Sequence, residues 1–209
     1  MDKEVKYGPA LSGRVDPAKA VTNAGARPGD CLMLTKPIGV GIINTAVKRG
    51  GADAAIVEGA IASMTQLNRQ AAERMLETGV HACADITGFG LLGHAQEMVR
   101  ASDVTLEIDH AAILTIPGAL ELCVEGIKPG GLENNRLPFA DSVKNSPEIS
   151  DAFQDLLFDS QTSGGLLMAL PKKAAAGLQK KISESQETGA SIIGRVTPGK
   201  EGGALVIVE

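Results

Sequence analysis

Apolar and polar positions alternate with two different periods along the chain, and the switches between periods outline its elements. From Asp30 the pattern is regular. The run "CLMLT" predicts a short apolar strand, and Pro37 opens a helix through about Lys48. Ile56, Ala60, Met64, Leu67, Ala71 and Met75 recur every three or four residues, which predicts helix across residues 53 to 78, stopped by Gly79. "VHACADIT" then changes to a period of two, with Val80, Ala82, Ala84 and Ile86 set against His81, Cys83, Asp85 and Thr87, the pattern of a half-buried strand. A helix from about Phe89 to Ala101, the strand "VTLEI" and a helix near 117 to 125 follow. Residues 126 to 147 are polar and rich in Gly, Pro and Asn, and predict a long loop. "GGLLMAL" reads as a buried strand, "PKKAAAGLQKKISESQ" as a helix opened by Pro171, and "SIIGRV" and "GALVIV" as two closing strands. Strands and helices mix without strict alternation, so the expected fold class is α+β with a mixed β-sheet packed with helices.

The first residues stand apart. "VKYGPALSGRVD" has the look of a strand without a partner upstream, and the Ala, Gly and Pro of "DPAKAVTNAGARPGD" suggest a connector. The expected organisation is therefore residues 1–28 as the tail of another domain with its connector, and residues 29–209 as one α+β domain.

Composition narrows the function. The 209 residues carry a net charge of −5, and only one Tyr, four Phe and no Trp. The core must come from Ala, Leu, Ile, Val and Met. No basic stripe is available to displace counterions and few aromatics to stack on bases, so no nucleic-acid partner is expected. Three widely spaced cysteines, Cys31, Cys83 and Cys123, match neither a disulfide framework nor a zinc site. No signal segment and no apolar run of about 18 residues is found, so no membrane is expected and the location is read as cytoplasmic.

The candidate chemistry lies in "HACADITGFGLLGHAQEM", residues 81 to 98, where Asp85 precedes a Gly-x-Gly-x-x-Gly pattern formed by Gly88, Gly90 and Gly93. Three readings fit. The pattern satisfies a dinucleotide fingerprint, with Glu107 and Asp109 about twenty residues on, where a ribose-binding acid belongs. Against it, the preceding strand alternates, whereas a central parallel strand is apolar nearly throughout. A structural reading needs Gly88 and Gly90 only for positive φ at a tight turn, and Gly93 for close packing of helix on sheet. The third reading is a corner for a metal-bound phosphate. Asp85, at the strand's end, supplies a carboxylate for Mg²⁺, while amides near Gly88 and Gly90 and the positive end of the helix dipole favour the phosphate. Thr87 either caps the helix or faces the site. A second polar stretch, "FDSQTSGGLL" at 158 to 167, is either a turn held by side-chain-to-backbone bonds or the lining of a site opposite Asp85. His81, His94 and His110 share no spacing, and His94 is expected as a packed or helix-surface residue rather than a base.

Three long stretches in order, "LTKPIGVGIINTAVKRG" (34 to 50), "ADITGFGLLGHAQEM" (84 to 98) and "FDSQTSGGLLMALP" (158 to 171), resemble the selenophosphate synthetase (selenide, water dikinase) family, within the aminoimidazole-ribonucleotide-synthetase-like superfamily. "KEVKYGPALSGRVDP" is similar to the junction between that family's two domains. The resemblance implies an ATP-dependent enzyme that makes selenophosphate, AMP and phosphate from ATP, selenide and water, as a cytosolic homodimer requiring Mg²⁺. It makes Asp85 one of several aspartates holding Mg²⁺ on the ATP phosphates, which agrees with the third reading, in which Thr87, Gly88 and Gly90 are the candidate residues beside the nucleotide. It makes residues 1–28 the end of an N-terminal ATP-binding domain, and it assigns the reactive Cys or selenocysteine, its Lys and the other aspartates to that domain. None of the three cysteines here inherits the nucleophile's role, so no catalytic residue is expected in this chain, and the chain alone is expected to be inactive. Two alternatives stay open: another ATP-dependent enzyme of the superfamily, and a dimerising or scaffolding piece without a ligand.

Overall fold

The computed structural model describes residues 12–185, 188–199 and 205–208, the last four by their backbone only. Seven strands and eight α-helices fall within these residues. They are β1 (Asp30–Leu34), α1 (Val40–Lys48), α2 (Ala54–Thr65), α3 (Arg69–Thr78), β2 (Ala82–Asp85), α4 (Gly90–Ser102), β3 (Val104–Asp109), α5 (Ala119–Val124), α6 (Leu132–Arg136), β4 (Val143–Lys144), α7 (Asp151–Leu157), β5 (Leu166–Pro171), α8 (Lys172–Ser185), β6 (Ser191–Pro198) and β7 (Leu205–Val208). The sheet order is β2-β5-β1-β6-β3-β7-β4. Neighbours from β2 to β3 run antiparallel, and β7 lies parallel to both β3 and β4, so the sheet is mixed.

Period-two side chains sort the sheet's two faces into two cores. Leu32 and Leu34 of β1, Leu167 and Ala169 of β5 and Ala82 of β2 join one cluster with α1, α4, α5 and α7. Met33, Met168 and Leu170 point the other way, into a cluster with Ala71 and Met75 of α3 and Leu178 and Ile182 of α8. Where helices cover both faces, at β1 and β5, the strands are largely apolar, and β5 is buried from Leu166 to Leu170. β2 sits at the edge, and its alternation follows from that: Ala82 and Ile86 are fully buried while Asp85 is exposed.

Four expectations are corrected. The single helix across 53 to 78 is two helices, because the apolar stripe serves both cores in turn. Ala60 of α2 packs in the first cluster, Ala71 and Met75 of α3 in the second, and the chain crosses between them at residues 66–68. Leu67, assigned to the stripe, is exposed at that crossing. Pro37 does not open α1. Ile38 exchanges backbone bonds with the segment at 114–116, which defers the helix to Val40 behind a Gly39 with φ 122°. The segment 126 to 147 is no bare loop, since it holds α6, a 3₁₀ helix at Leu137–Ser142 and β4. Its order comes from distant partners of Leu132 and Asn135, which no local periodicity reveals. Pro171 ends β5 rather than opening α8.

The strand expected near the start lies largely in residues 1–11, outside the described residues. The connector after it is docked on the domain. Cys83 donates its amide to the Thr22 carbonyl, and the amides of Gly25 and Ala26 donate to Ser102 Oγ, so the outer side of the β2 edge is partly covered.

Candidate functional site

β2 ends at Asp85 because its ladder with β5 runs out there, at the pair Asp85↔Leu166. One more bond, from the Ile86 amide to the Gly165 carbonyl, carries the extended backbone one residue further before the chain turns into α4. Asp85 is exposed, and its carboxylate makes no hydrogen bond or ion pair with the described residues. Its charge is felt next door: burial first, and then Asp85, push the Cys83 thiol up to about 12. Cys123 is raised to about 11, chiefly by burial, so neither is a thiolate near neutrality.

The glycines divide their labour differently from the expectation. Gly90 has φ 71°, and a Cβ on it would sit 2.7 Å from the Phe158 carbonyl carbon, so both conformation and close approach demand glycine. Gly88 has neither positive φ nor a crowded Cβ position. What matters there is its carbonyl, which accepts 2.7 Å bonds from Asn135 Nδ2 and Ser160 Oγ. Gly93 faces Phe89 and Phe139 rather than the sheet. The amides of Gly88 and Phe89 find no partner among the described residues, whereas the Gly90 amide donates to the Thr87 carbonyl and is not free for a ligand. Thr87 does not cap α4 through its side chain. Its Oγ1 lies 3.1 Å from His94 Nε2, and His94 Nδ1 lies 3.0 Å from Glu97 Oε2.

Topology disposes of the dinucleotide reading. Among the described residues β2 is an edge strand whose one ladder neighbour, β5, runs antiparallel to it, so these residues form no parallel crevice there for a pyrophosphate. Glu107 stands four strands away, paired with Arg195 at 2.5 Å.

The turn at 158–165 lies against the Asp85 corner, but its polar side chains are used inward. The Gln161 amide donates to the Thr87 carbonyl, while Gln161 Oε1 accepts from the Gly39 and Val40 amides. Asp159 Oδ2 accepts from the Gly41 amide and from Gln161 Nε2, both at 2.9 Å. A carboxylate and a carboxamide thus fill the N-terminus of α1, where amides and dipole favour negative charge. Lys36, 1% exposed, ties the turn to the α2–α3 crossing by donating to the carbonyls of Ser63, Gln66 and Ser163 at 3.1, 2.6 and 2.7 Å. Asn135 reaches in from α6 to bind the Gly88 and Phe158 carbonyls and Ser160 Oγ. The sequence assigns no role to Lys36 or Asn135, and it reads Asp159 and Gln161 as part of a polar stretch that is either a turn held by side-chain-to-backbone bonds or the lining of a site. The polar cluster before an apolar strand was a signal for the last two. For Asn135 there was none.

Asp159 is fully buried, and its Oδ1 has no partner. Burial outweighs its hydrogen bonds and pushes its carboxyl from 3.8 up to about 6. The folded protein therefore holds this proton more tightly than the unfolded chain. The associated stability is fully present below about pH 4, is lost as pH rises to about 6, and is flat beyond, a change of roughly 3 kcal/mol. We expect the Asp159→Asn variant to lack this decline. Urea unfolding of both proteins from pH 4 to 7 checks it, and parallel pH profiles would contradict the assignment.

Comparison with known proteins fits this geometry into a family. The family model for the C-terminal domain of AIR synthase related proteins matches residues 27–207. Selenide, water dikinase from Caldanaerobacter subterraneus subsp. tengcongensis is 45% identical over 200 residues, covering 96% of this chain and 58% of the relative. The selenide, water dikinase of Clostridioides difficile is 44% identical over 197 residues, covering 94% of this chain and 57% of the relative. The chain thus spans less than three fifths of the length of these curated relatives. Among solved structures, hydrogenase maturation protein HypE superposes with a TM-score of 0.67 at 23% identity, over 93% of this chain and 53% of HypE, which shows a shared fold. Matched by that domain model over residues 27–207 and more than 40% identical to these enzymes over nearly its whole length, the chain belongs to the selenide, water dikinase family.

Proposed function

We propose that this chain serves an enzyme that makes selenophosphate, AMP and phosphate from ATP, selenide and water, and that it contributes Asp85 as one oxygen ligand of a Mg²⁺ ion on the nucleotide phosphates. The observation that carries the site is the state of Asp85: an exposed carboxylate without an internal partner, at the end of a strand, next to two open amides. Mg²⁺ is a hard cation that takes one or two carboxylates together with phosphate oxygens and water, and the Gly88 and Phe89 amides at the start of α4 suit a phosphate. Bound there, the ion would neutralise charge on the transferring phosphoryl group. The chain's own part is to hold the carboxylate in place: Gly90 sets the turn, and Asn135 and Ser160 pin the Gly88 carbonyl.

Among the described residues no three His, Cys, Asp or Glu side chains group to hold a metal ion. One carboxylate leaves Mg²⁺ largely to water, so the remaining ligands and the nucleophile belong to an ATP-binding domain beyond this chain. As the family resemblance implies, we propose that the working enzyme is a cytoplasmic homodimer. Among the described residues no helix is long and apolar enough to cross a membrane. The chain alone is expected to turn over no ATP. An assay for AMP with ATP, Mg²⁺ and selenide checks this, and robust AMP release by the 209-residue chain would refute it. Asp85→Asn in the complete enzyme is the test of the site.

A further inference from the structure

The side chains of Thr87, His94 and Glu97 form a chain of two hydrogen bonds, at 3.1 and 3.0 Å, that starts two residues after Asp85. Their chemistry fixes its direction. Glu97 has only lone pairs to offer, so the imidazole nitrogen facing it, Nδ1, carries the ring proton. In the tautomer that carries its proton on Nδ1, Nε2 is an acceptor, and the hydrogen of the second bond comes from the Thr87 hydroxyl. The ring is held for this role: His94 is 8% exposed, and the Phe89 ring lies against it with centroids 5.6 Å apart.

With its hydrogen committed to His94, Thr87 Oγ1 keeps nothing but lone pairs. Thr87 follows Asp85 by two residues along extended backbone, with the buried Ile86 between them, and it is partly exposed. An acceptor-only oxygen near a carboxylate repels phosphate oxygens and suits the hydrogens of water on a cation. The open amides of Gly88 and Phe89 have the opposite preference. The corner therefore has a cation half and an anion half.

We propose that Thr87 is an outer-sphere ligand of the divalent ion at Asp85, its Oγ1 accepting a hydrogen bond from a cation-bound water, with His94 and Glu97 as positioning residues that keep the hydroxyl proton turned inward. This rests on the reading of Asp85 as a cation ligand. Glu97→Gln is the discriminating variant. A glutamine amide also donates, which allows the other ring tautomer, whose Nε2–H donates to Thr87 and turns the hydroxyl hydrogen outward. Thr87→Val deletes the acceptor, and Thr87→Ser restores it.

The experiment is done on the ¹⁵N-labelled 209-residue chain with Mn²⁺ as the probe. Its first readout is the tautomer of His94 from ring ¹⁵N shifts, expected as Nδ1–H in the wild type. The second is Mn²⁺-induced broadening of the backbone amides at 84–90. Thr87→Val and Glu97→Gln are expected to need about tenfold more Mn²⁺, the low end of what losing an outer-shell partner does to metal affinity. Thr87→Ser is expected to titrate as the wild type does. Glu97 is about half exposed, so its variant tests the relay without burdening the fold. An Nε2–H ring in the wild type, or unchanged Mn²⁺ titrations in both Thr87→Val and Glu97→Gln, overturns the relay alone. Broadening that persists in Asp85→Asn overturns the underlying reading of Asp85.

Discussion

In the complete enzyme, Asp85→Asn is expected to lower kcat/KM for Mg²⁺–ATP on the order of a hundredfold while leaving the melting temperature unchanged. The first half follows from charge. Asparagine keeps one oxygen but removes the anion that attracts Mg²⁺, and a few kcal/mol of lost metal-mediated stabilisation corresponds to about two powers of ten in rate. The second half follows from exposure. Asp85 makes no internal hydrogen bond or ion pair to the described residues, and an exposed substitution of this kind changes stability by about 0.5 kcal/mol or less. Extra Mg²⁺ should restore part of the activity. Steady-state kinetics at two Mg²⁺ concentrations, with a thermal melt of the same preparations, measure both halves. Unchanged kinetics would remove Asp85 from the site, and a collapse in melting temperature would make it a structural residue instead.

Lys36→Met should be the most destabilising substitution near the site, by about 4 kcal/mol. Methionine matches the stem of the lysine but cannot replace its three donors, and each buried carbonyl left unpaired costs about 1–3 kcal/mol. Three are left, at Ser63, Gln66 and Ser163. Burial pulls the Lys36 ammonium below its usual pKa, so part of the loss is offset by no longer holding a cation there. That offset is smaller, because only one side of the interaction has been removed. A loss of this size is a large part of a domain's total stability of about 5–15 kcal/mol. Urea unfolding measures it, and a change under about 1 kcal/mol would show that water or a local shift satisfies the carbonyls.

Much of the fold was written in periodicities. Where a run serves a single face or sits between two, pattern and structure agree: the alternation at 80 to 87 is an edge strand, and the unbroken "LLMAL" is an inner one. The pattern misled where one stripe was shared. Residues 56 to 75 repeat at helical spacing, yet the chain must pass from one core to the other, and the break at 66–68 is enforced by Lys36 and by Asn68 Nδ2, which donates to the Gly164 carbonyl. Periodicity carries no information about which face of a sheet a helix will cover. Pro37 illustrates the same limit, because a local start signal lost to pairing with residues 114–116.

The site was legible only in its outline. Sequence alone determined a strand ending in an acid ahead of a glycine turn and a helix, since those depend on neighbours a few residues apart. It also carried the family likeness, through three ordered stretches. Tertiary structure decided what those residues do: that Gly90 alone of the three glycines is forced by backbone conformation, that the Gly88 carbonyl is held from α6 and the 158–165 turn, and that Thr87 bonds His94. It also decided that Asp159 and Gln161 turn away to cap α1, leaving Asp85 as the acid that faces outward at that corner. Each of these depends on which segments meet in space. A hydrogen bond between residues 47 or 122 positions apart leaves no periodic trace in the chain that makes it.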